Sequence, residues 1–215
     1  MDAGNFIQMA AVYALPIIFA ITFHEAAHGY VARHFGDMTA YMQGRVSLNP
    51  LHHIDPMGTI VIPLISLALG GFLFGWAKPV PINFGALRHP KQDMLWVAIA
   101  GPASNLLMAV FWAFMLKVAT LMPGSYFTAP LSVMANMGVK INVVLMMLNL
   151  LPIPPLDGGR VMVSLLPAKQ AYQLAKIEPY GIIVLVVLLF SGILGAIIGP
   201  LMNLAINLIL QLFGL

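Results

Sequence analysis

The chain of 215 residues contains no cysteine and very few charged side chains. Without thiols, disulfide bridges and thiolate ligands are excluded, so any metal must be held by His, Asp, Glu or carbonyl oxygen. Asp, Glu, Lys and Arg make up 8% of the residues, against roughly 25% in a soluble domain. With 60% hydrophobic residues, the chain is predicted to be an integral membrane protein. Its formal net charge of +3 then indicates basic loops at one membrane face and not a nucleic-acid-binding surface.

Hydropathy divides the chain into apolar stretches, and about 20 helical residues are needed to cross the hydrocarbon core. No basic segment precedes the first stretch, so we expect it to be a retained helix and not a cleavable signal peptide. We predict one polytopic domain over residues 1–215, with a catalytic core at 5–165 and a C-terminal helical hairpin at 180–215. The stretches cover residues 5–30, 57–76, 94–122, 131–151, 180–192 and 193–215.

Three polar residues stand near the end of the first apolar stretch. Residues 6–23 contain no charged side chain, and His24, Glu25 and His28 follow. Ionisable groups at membrane depth are costly, so they are candidates for a functional site. Residues four apart share one face of a helix, so His24 and His28 can bind one zinc ion. Glu25 lies beside that face and can reach a water on the metal.

A second polar motif follows the fourth stretch, where three prolines break the helix before Asp157. Gly158 and Gly159 permit close backbone approach, so the segment presents Asp157 from irregular backbone. A carboxylate would complete a set of two His and one carboxylate with a position left for water, which is the ligand set of a hydrolytic zinc site. Alternatively, Asp157 caps the next helix and pairs with Arg160. The histidine pair upstream favours the ligand role.

The second stretch contains Pro63, Gly70, Gly71 and Gly75, which weaken a simple helix. We predict that it enters the membrane and returns to the same face, because only then do His28 and Asp157 meet on one side. Nearly all basic residues outside the spans then share one face, which places the N-terminus outside and the active site toward the cytoplasm. A crossing second stretch is the alternative. In both cases the chain is expected to be a multi-pass protein of the cell membrane.

Residues 39–48 and 78–83 look extended, because polar and apolar side chains alternate in the first segment and prolines occupy the second. We expect a small β element at the membrane surface, where an edge strand could hold an extended substrate by strand addition. The predicted fold class is therefore an all-α integral membrane protein with about five to six transmembrane helices, one re-entrant segment and this β element.

The motifs together resemble the site-2 protease family of intramembrane zinc metalloproteases, of the M50 type. The resemblance rests on His24, Glu25 and His28, on the pattern Asn-x-x-Pro-x-Pro-x-x-Asp-Gly-Gly at residues 149–159, and on Gly-Pro-Ala-Ser-Asn at residues 101–105. The resemblance covers residues 20–165. Within the family, the chain is similar to compact prokaryotic members that lack PDZ or CBS domains.

This resemblance implies one zinc ion per chain, bound by His24, His28 and Asp157. It implies an endopeptidase that cleaves in or near the transmembrane segments of membrane proteins, in regulated intramembrane proteolysis or in the clearance of signal-peptide remnants. Water on the zinc would attack the scissile carbonyl, with Glu25 as general base and then as general acid to the leaving amine. The expected partners are transmembrane protein substrates and the lipid bilayer.

Asparagines in the apolar stretches are further candidates. The resemblance implies that Asn149 is a catalytic residue that contacts the substrate or the developing oxyanion. An interhelical hydrogen bond is an equal alternative for it. For Asn105 and Asn142 we favour packing or hydrogen bonding within the bundle.

Two adjacent histidines, His52 and His53, precede the second stretch. They could form a metal-entry or regulatory site. Adjacent residues do not share a helix face, and the dipeptide Asp55-Pro56 indicates a turn. We therefore favour an interfacial turn.

Two other functional classes stay open. A transporter or channel would use the ionisable residues as an ion pathway, but such a pathway needs groups spread through the bilayer, whereas these cluster at one level. A non-catalytic scaffold would retain zinc without turnover. Glu25 argues against the scaffold, because a structural zinc site needs no base beside an open coordination position.

Overall fold

The computed structural model describes residues 3–53, 55–61 and 78–215, and these residues fold into helices and irregular connections without a β-strand. The α-helices are α1 (Ala3–His34), α2 (Thr39–Met42), α3 (Pro90–Thr120), α4 (Thr128–Asn149), α5 (Asp157–Leu165), α6 (Ala168–Ala175), α7 (Gly181–Phe190) and α8 (Ile193–Gln211). Short 3-10 turns cover Pro50–His53, Phe84–Ala86 and Glu178–Tyr180, and a π-helical turn covers Pro56–Val61. The all-α prediction is thus confirmed for the described part of the chain.

Within the described part of the chain, four segments are long and apolar enough to cross a membrane. They contain few charges because such side chains are costly in hydrocarbon. The last two follow each other at Ser191 and Gly192, where Gly192 adopts a φ of 75° that favours glycine. The segments are Pro90–Thr120, Thr128–Asn149, Ala168–Phe190 and Ile193–Gln211.

Helix α3 packs against both α1 and α4 and runs antiparallel to both. Its residue Asn105 donates a hydrogen bond to Ala20 O of α1 and another to Asn142 Oδ1 of α4. Further along, Trp112 lies against Gly138, where a Cβ atom would stand only 2.2 Å from Trp112 Cγ. Small residues at such contacts let membrane helices approach closely, and this contact lies in the main buried apolar cluster.

The chain leaves α1 and enters α3 at the same end of the bundle. Arg88 N donates to Phe35 O at 3.0 Å, and Lys78 N donates to His53 O at 3.0 Å. Both ends of the connection therefore lie side by side. The predicted re-entrant course of residues 57–76 falls almost wholly outside the described residues.

The predicted extended conformation of residues 39–48 is wrong for Thr39–Met42, which is helical. The buried carboxylate of Asp37 accepts the N–H of Thr39 at 2.9 Å and starts a turn, which ends at Gly44 with a φ of 64°. Arg45 donates to the carbonyl of Lys78 at 3.0 Å. A side-chain bridge therefore joins the two segments in place of the backbone ladder of a β element.

Candidate metal centre

The three predicted ligands come from two elements that meet inside the bundle. His24 and His28 lie one turn apart on α1, and Asp157 is the first residue of α5. The alternative role of Asp157 as a cap is not observed, because the cap position is Leu156 and makes no side-chain cap hydrogen bond. Arg160 pairs instead with Glu178 at 3.0 Å.

Glycines fold the start of α5 against the segment that leads to it. A Cβ atom at Gly158 would lie 2.3 Å from Leu150 O, and one at Gly159 would lie 2.3 Å from Pro154 N. Any larger residue would push α5 away from this segment. The glycines after Asp157 thus fix the position from which its carboxylate reaches α1.

Three potential ligand atoms form a nearly equilateral triangle. His24 Nε2 lies 3.1 Å from His28 Nε2, and each lies 3.3 Å from Asp157 Oδ2. Zinc bound tetrahedrally at about 2.0–2.1 Å from nitrogen and about 2.0–2.2 Å from oxygen requires ligand atoms about 3.3 Å apart. Among the described residues, this is the group of His, Asp and Glu side chains whose spacing suits a metal ion.

Hydrogen bonds on the far side of each imidazole determine which nitrogen carries the proton. His24 Nδ1 lies 2.6 Å from Asn105 Oδ1, and His28 Nδ1 lies 2.7 Å from Val97 O. Both oxygens accept, so both Nδ1 atoms donate. The two Nε2 atoms therefore carry lone pairs and no proton in the neutral rings, which is the form that binds a metal.

With both rings in this neutral form, no proton lies between the three potential ligand atoms. Asp157 Oδ2 is buried and has no hydrogen-bond partner among the described residues. An unsatisfied carboxylate oxygen that faces the lone pairs of His24 and His28 is unfavourable unless a cation lies between them. The donor set, its spacing and this orphaned oxygen fit a zinc ion.

Glu25 is half-buried beside the triangle but is not part of the ligand group. Its Oε2 atom accepts the backbone N–H of Val80 at 2.8 Å, and no described residue forms a hydrogen bond with Oε1. The backbone of Val80 thus anchors one oxygen of the carboxylate and leaves the other unbonded among the described residues.

Gly101 on α3 allows the two imidazoles to lie against that helix. A Cβ atom at this position would stand 2.3 Å from His28 Nε2 and 2.6 Å from His24 Cε1.

Four positions that support the site were not assigned this role from the sequence: Val80, Val97, Gly101 and Asn105. The Gly-Pro-Ala-Ser-Asn motif at residues 101–105 was a signal for two of them, since it contains both Gly101 and Asn105.

The remaining sequence candidates lie outside the triangle. Asn149 donates through Nδ2 to Leu145 O at 3.0 Å, and among the described residues it does not bond to the ligands. His52 lies 3.1 Å from Gly44 O, and His53 lies 2.8 Å from Ser47 O. These backbone contacts agree with a turn.

Known proteins are similar to this chain over most of its residues. The model of peptidase family M50 matches residues 117–192, which include Asp157. "Putative zinc metalloprotease YwhC" of Bacillus subtilis (strain 168) is 40% identical over 203 residues, which cover 93% of this chain and 89% of that protein. "Putative zinc metalloprotease Rip2" of Mycolicibacterium smegmatis is 30% identical over 193 residues, covering 87% of this chain and 68% of the relative. No solved structure matches the chain. The chain therefore belongs to peptidase family M50.

Proposed function

We propose that this protein is a zinc-dependent intramembrane endopeptidase that hydrolyses peptide bonds in or near the transmembrane segments of membrane proteins. The observation that carries the proposal is the triangle of His24 Nε2, His28 Nε2 and Asp157 Oδ2, with edges of 3.1–3.3 Å, among apolar helices. Membership in peptidase family M50 supports a zinc metalloprotease.

His24, His28 and Asp157 would hold the zinc ion. When bound there, zinc supplies Lewis acidity that activates a water molecule and polarises a carbonyl. The hydrogen bonds to Nδ1 keep both imidazoles in the metal-binding tautomer. Three protein ligands leave a position for water or substrate, as in other hydrolytic zinc sites.

Glu25 would act as general base and then as general acid. Its Oε2 is held by the N–H of Val80, so Oε1 takes the proton from the attacking water. The same oxygen then delivers that proton to the leaving amine. A transmembrane helix hides its carbonyls in intrahelical hydrogen bonds, so a substrate must unwind locally before it reacts.

We retain Asn149 as a proposed substrate-contacting residue. One amide proton bonds to Leu145 O, which leaves the second proton for a substrate or oxyanion. Loss of an oxyanion donor lowers kcat by about a hundredfold to a thousandfold. We expect Asn149→Ala to reduce cleavage to this extent while bound zinc is unchanged, and a loss of zinc would instead indicate a structural role.

Charge supports an active site that faces the cytoplasm. Basic residues concentrate at the end of the bundle where α1 ends and α3 begins, and the membrane face rich in Lys and Arg is the cytoplasmic one. The adjacent backbone positions of Phe35 and Arg88 support the predicted return of the intervening stretch to the face that it left. The basic residues of this connection are Arg45, Lys78 and Arg88, with Arg33 on α1 and Lys91 on α3.

The deciding experiment compares wild type, Glu25→Gln and Glu178→Gln in lipid vesicles that contain a model transmembrane substrate. Glu178 is the only other glutamate of the chain and pairs with Arg160 at the surface, so it is a matched control. We expect Glu25→Gln to retain one zinc per chain, measured by elemental analysis, and to lose cleavage. Glu178→Gln should behave as wild type. Full cleavage by Glu25→Gln, or wild-type protein that binds zinc but cuts no membrane substrate, would refute the proposal.

A further inference from the structure

A lysine occupies the middle of a candidate membrane span, on an exposed face. Lys140 is the thirteenth of the 22 residues of α4 and is exposed. It lines a cleft of about 250 Å³ between α4 and α1, together with Tyr13, Ser132 and Asn136. Ser132, Asn136 and Lys140 recur every four residues, so they form a polar stripe on one face of α4.

The depth of Lys140 separates it from both membrane surfaces. At about 1.5 Å per residue, α4 is about 33 Å long and Lys140 lies about 14 Å from its nearer end. The hydrocarbon core is about 30 Å thick. The Lys140 side chain can extend toward the membrane surface, but it is too short to span the distance from its position to the nearer end of α4. The ammonium group therefore needs a partner at membrane depth.

The described residues provide no such partner. Lys140 forms no ion pair with the described residues. No acidic residue occurs between Asp55 and Asp93 or within α4 and α8, so residues 62–77 contribute no carboxylate. The seven acidic residues are Asp2, Glu25, Asp37, Asp55, Asp93, Asp157 and Glu178.

We propose that this cleft, called here the Lys140 cleft, binds a transmembrane helix of another protein that carries Asp or Glu near its middle. Such a carboxylate would meet the ammonium group at its own depth, and the hydroxyl and amide groups of Ser132 and Asn136 would accept or donate further hydrogen bonds. The cleft is smaller than typical small-molecule pockets of about 300–1,000 Å³, and its size suits an inserted side chain.

Two other occupants fit less well. The charged headgroup of a lipid lies at the membrane surface and not at the depth of Lys140. In a second copy of this chain, the acidic residue near the middle of a candidate span is Glu178, and Arg160 already pairs with it at 3.0 Å. The proposal does not depend on proteolysis, because it concerns binding at a surface separate from Glu25.

The test measures helix binding in vesicles of phosphatidylcholine by energy transfer between labelled protein and labelled peptide. The full-length chain carries Glu25→Gln to prevent cleavage. The probes are hydrophobic transmembrane peptides with one central Glu, Gln or Lys. We expect the Glu peptide to bind about tenfold more tightly than the Gln peptide, which corresponds to about 1.4 kcal/mol.

Four variants connect this preference to the lysine. Lys140→Gln should abolish it, Lys140→Glu should transfer it to the Lys peptide, and Lys117→Gln, near the end of α3, should leave it unchanged. Lys140→Arg keeps the charge and should keep the preference for the Glu peptide. It tests the role of the charge if the other variants fail to fold, which their zinc content would reveal.

Equal binding of the Glu and Gln peptides would overturn the proposal, as would a Glu preference that survives in Lys140→Gln. Binding that depends on Lys140 only in vesicles with anionic lipid would assign the lysine to headgroups instead. A loss of self-association in Lys140→Gln without any change in peptide preference would assign the cleft to a second copy of the chain.

Discussion

Asn105 accepts a hydrogen bond of 2.6 Å from His24 Nδ1, and its own orientation is fixed from the other side. Its amide protons bond to Ala20 O at 3.1 Å and Asn142 Oδ1 at 2.9 Å, which leaves only Oδ1 to face the imidazole. Asn142 in turn donates to Gly138 O at 2.8 Å. A chain of hydrogen bonds across α4, α3 and α1 thus determines the tautomer of a proposed zinc ligand.

Replacing Asn105 by alanine should therefore weaken zinc binding. Residues that orient a metal-bound histidine typically contribute about tenfold to a hundredfold to metal affinity. We expect the zinc Kd of Asn105→Ala to rise by this factor, measured by competition with a chelator. Asn203→Ala, at an exposed position of α8, is the control. Unchanged zinc affinity in Asn105→Ala, with the fold intact, would show that the hydrogen bond does not support the metal.

The grouping of His24, His28 and Asp157 was predictable because the signals for it are local. His24 and His28 share a face in any helix because they are four residues apart. The prolines and glycines around Asp157 indicate an irregular segment without reference to distant residues. The role of Asn105 depends on the register between α1 and α3, which brings together residues 81 positions apart. Hydropathy predicted both helices but not which of their residues face each other.

The described residues contain no β element, and the reason is related. Alternation of polar and apolar residues over residues 39–48 is too short to distinguish a strand from a turn. The deciding interaction is the carboxylate of Asp37, which binds Thr39 N and also accepts Asn83 N at 2.7 Å. A buried side chain with two backbone partners, one of them 46 residues away, organises this region.

Gly101→Ala should displace the histidines from α3. The added methyl carbon would lie 2.3 Å from His28 Nε2, closer than van der Waals contact permits. We expect less than one zinc per chain after purification and loss of cleavage. Gly199→Ala in α8 is the matched control, because a Cβ atom there meets nothing within 4 Å. If the two variants retained equal amounts of zinc, the proposed packing of the imidazoles on Gly101 would be wrong.

The hydrogen bond from Val80 N to Glu25 can be removed without touching the carboxylate. Val80→Pro lacks the donor, whereas Val80→Ala keeps it. Because misplacement of a catalytic group can cost about a hundredfold in rate, we expect kcat of Val80→Pro to fall by about tenfold to a hundredfold with zinc content unchanged. Val80→Ala should retain most of the activity. Equal rates for the two variants would indicate that Glu25 is positioned by other contacts.

The arrangement of the connection between α1 and α3 leads to a prediction about membrane sidedness. Phe35 O and Arg88 N are hydrogen-bonded, so Met38 and Arg88 lie at one end of the bundle, while the exposed Tyr126 follows α3 at the other. The natural chain has no cysteine, so single variants Met38→Cys, Arg88→Cys and Tyr126→Cys can be labelled without background.

An impermeant thiol reagent applied outside intact cells should label Tyr126→Cys alone, and all three variants should react after the membrane is opened. This expectation follows from the proposed topology, in which α3 crosses the membrane between Arg88 and Tyr126 and the chain between Met38 and Arg88 makes no net crossing. Labelling of Arg88→Cys but not Met38→Cys from outside would contradict the hydrogen-bonded connection. Labelling of both from outside, with Tyr126→Cys protected, would keep the fold but place the metal centre toward the exterior.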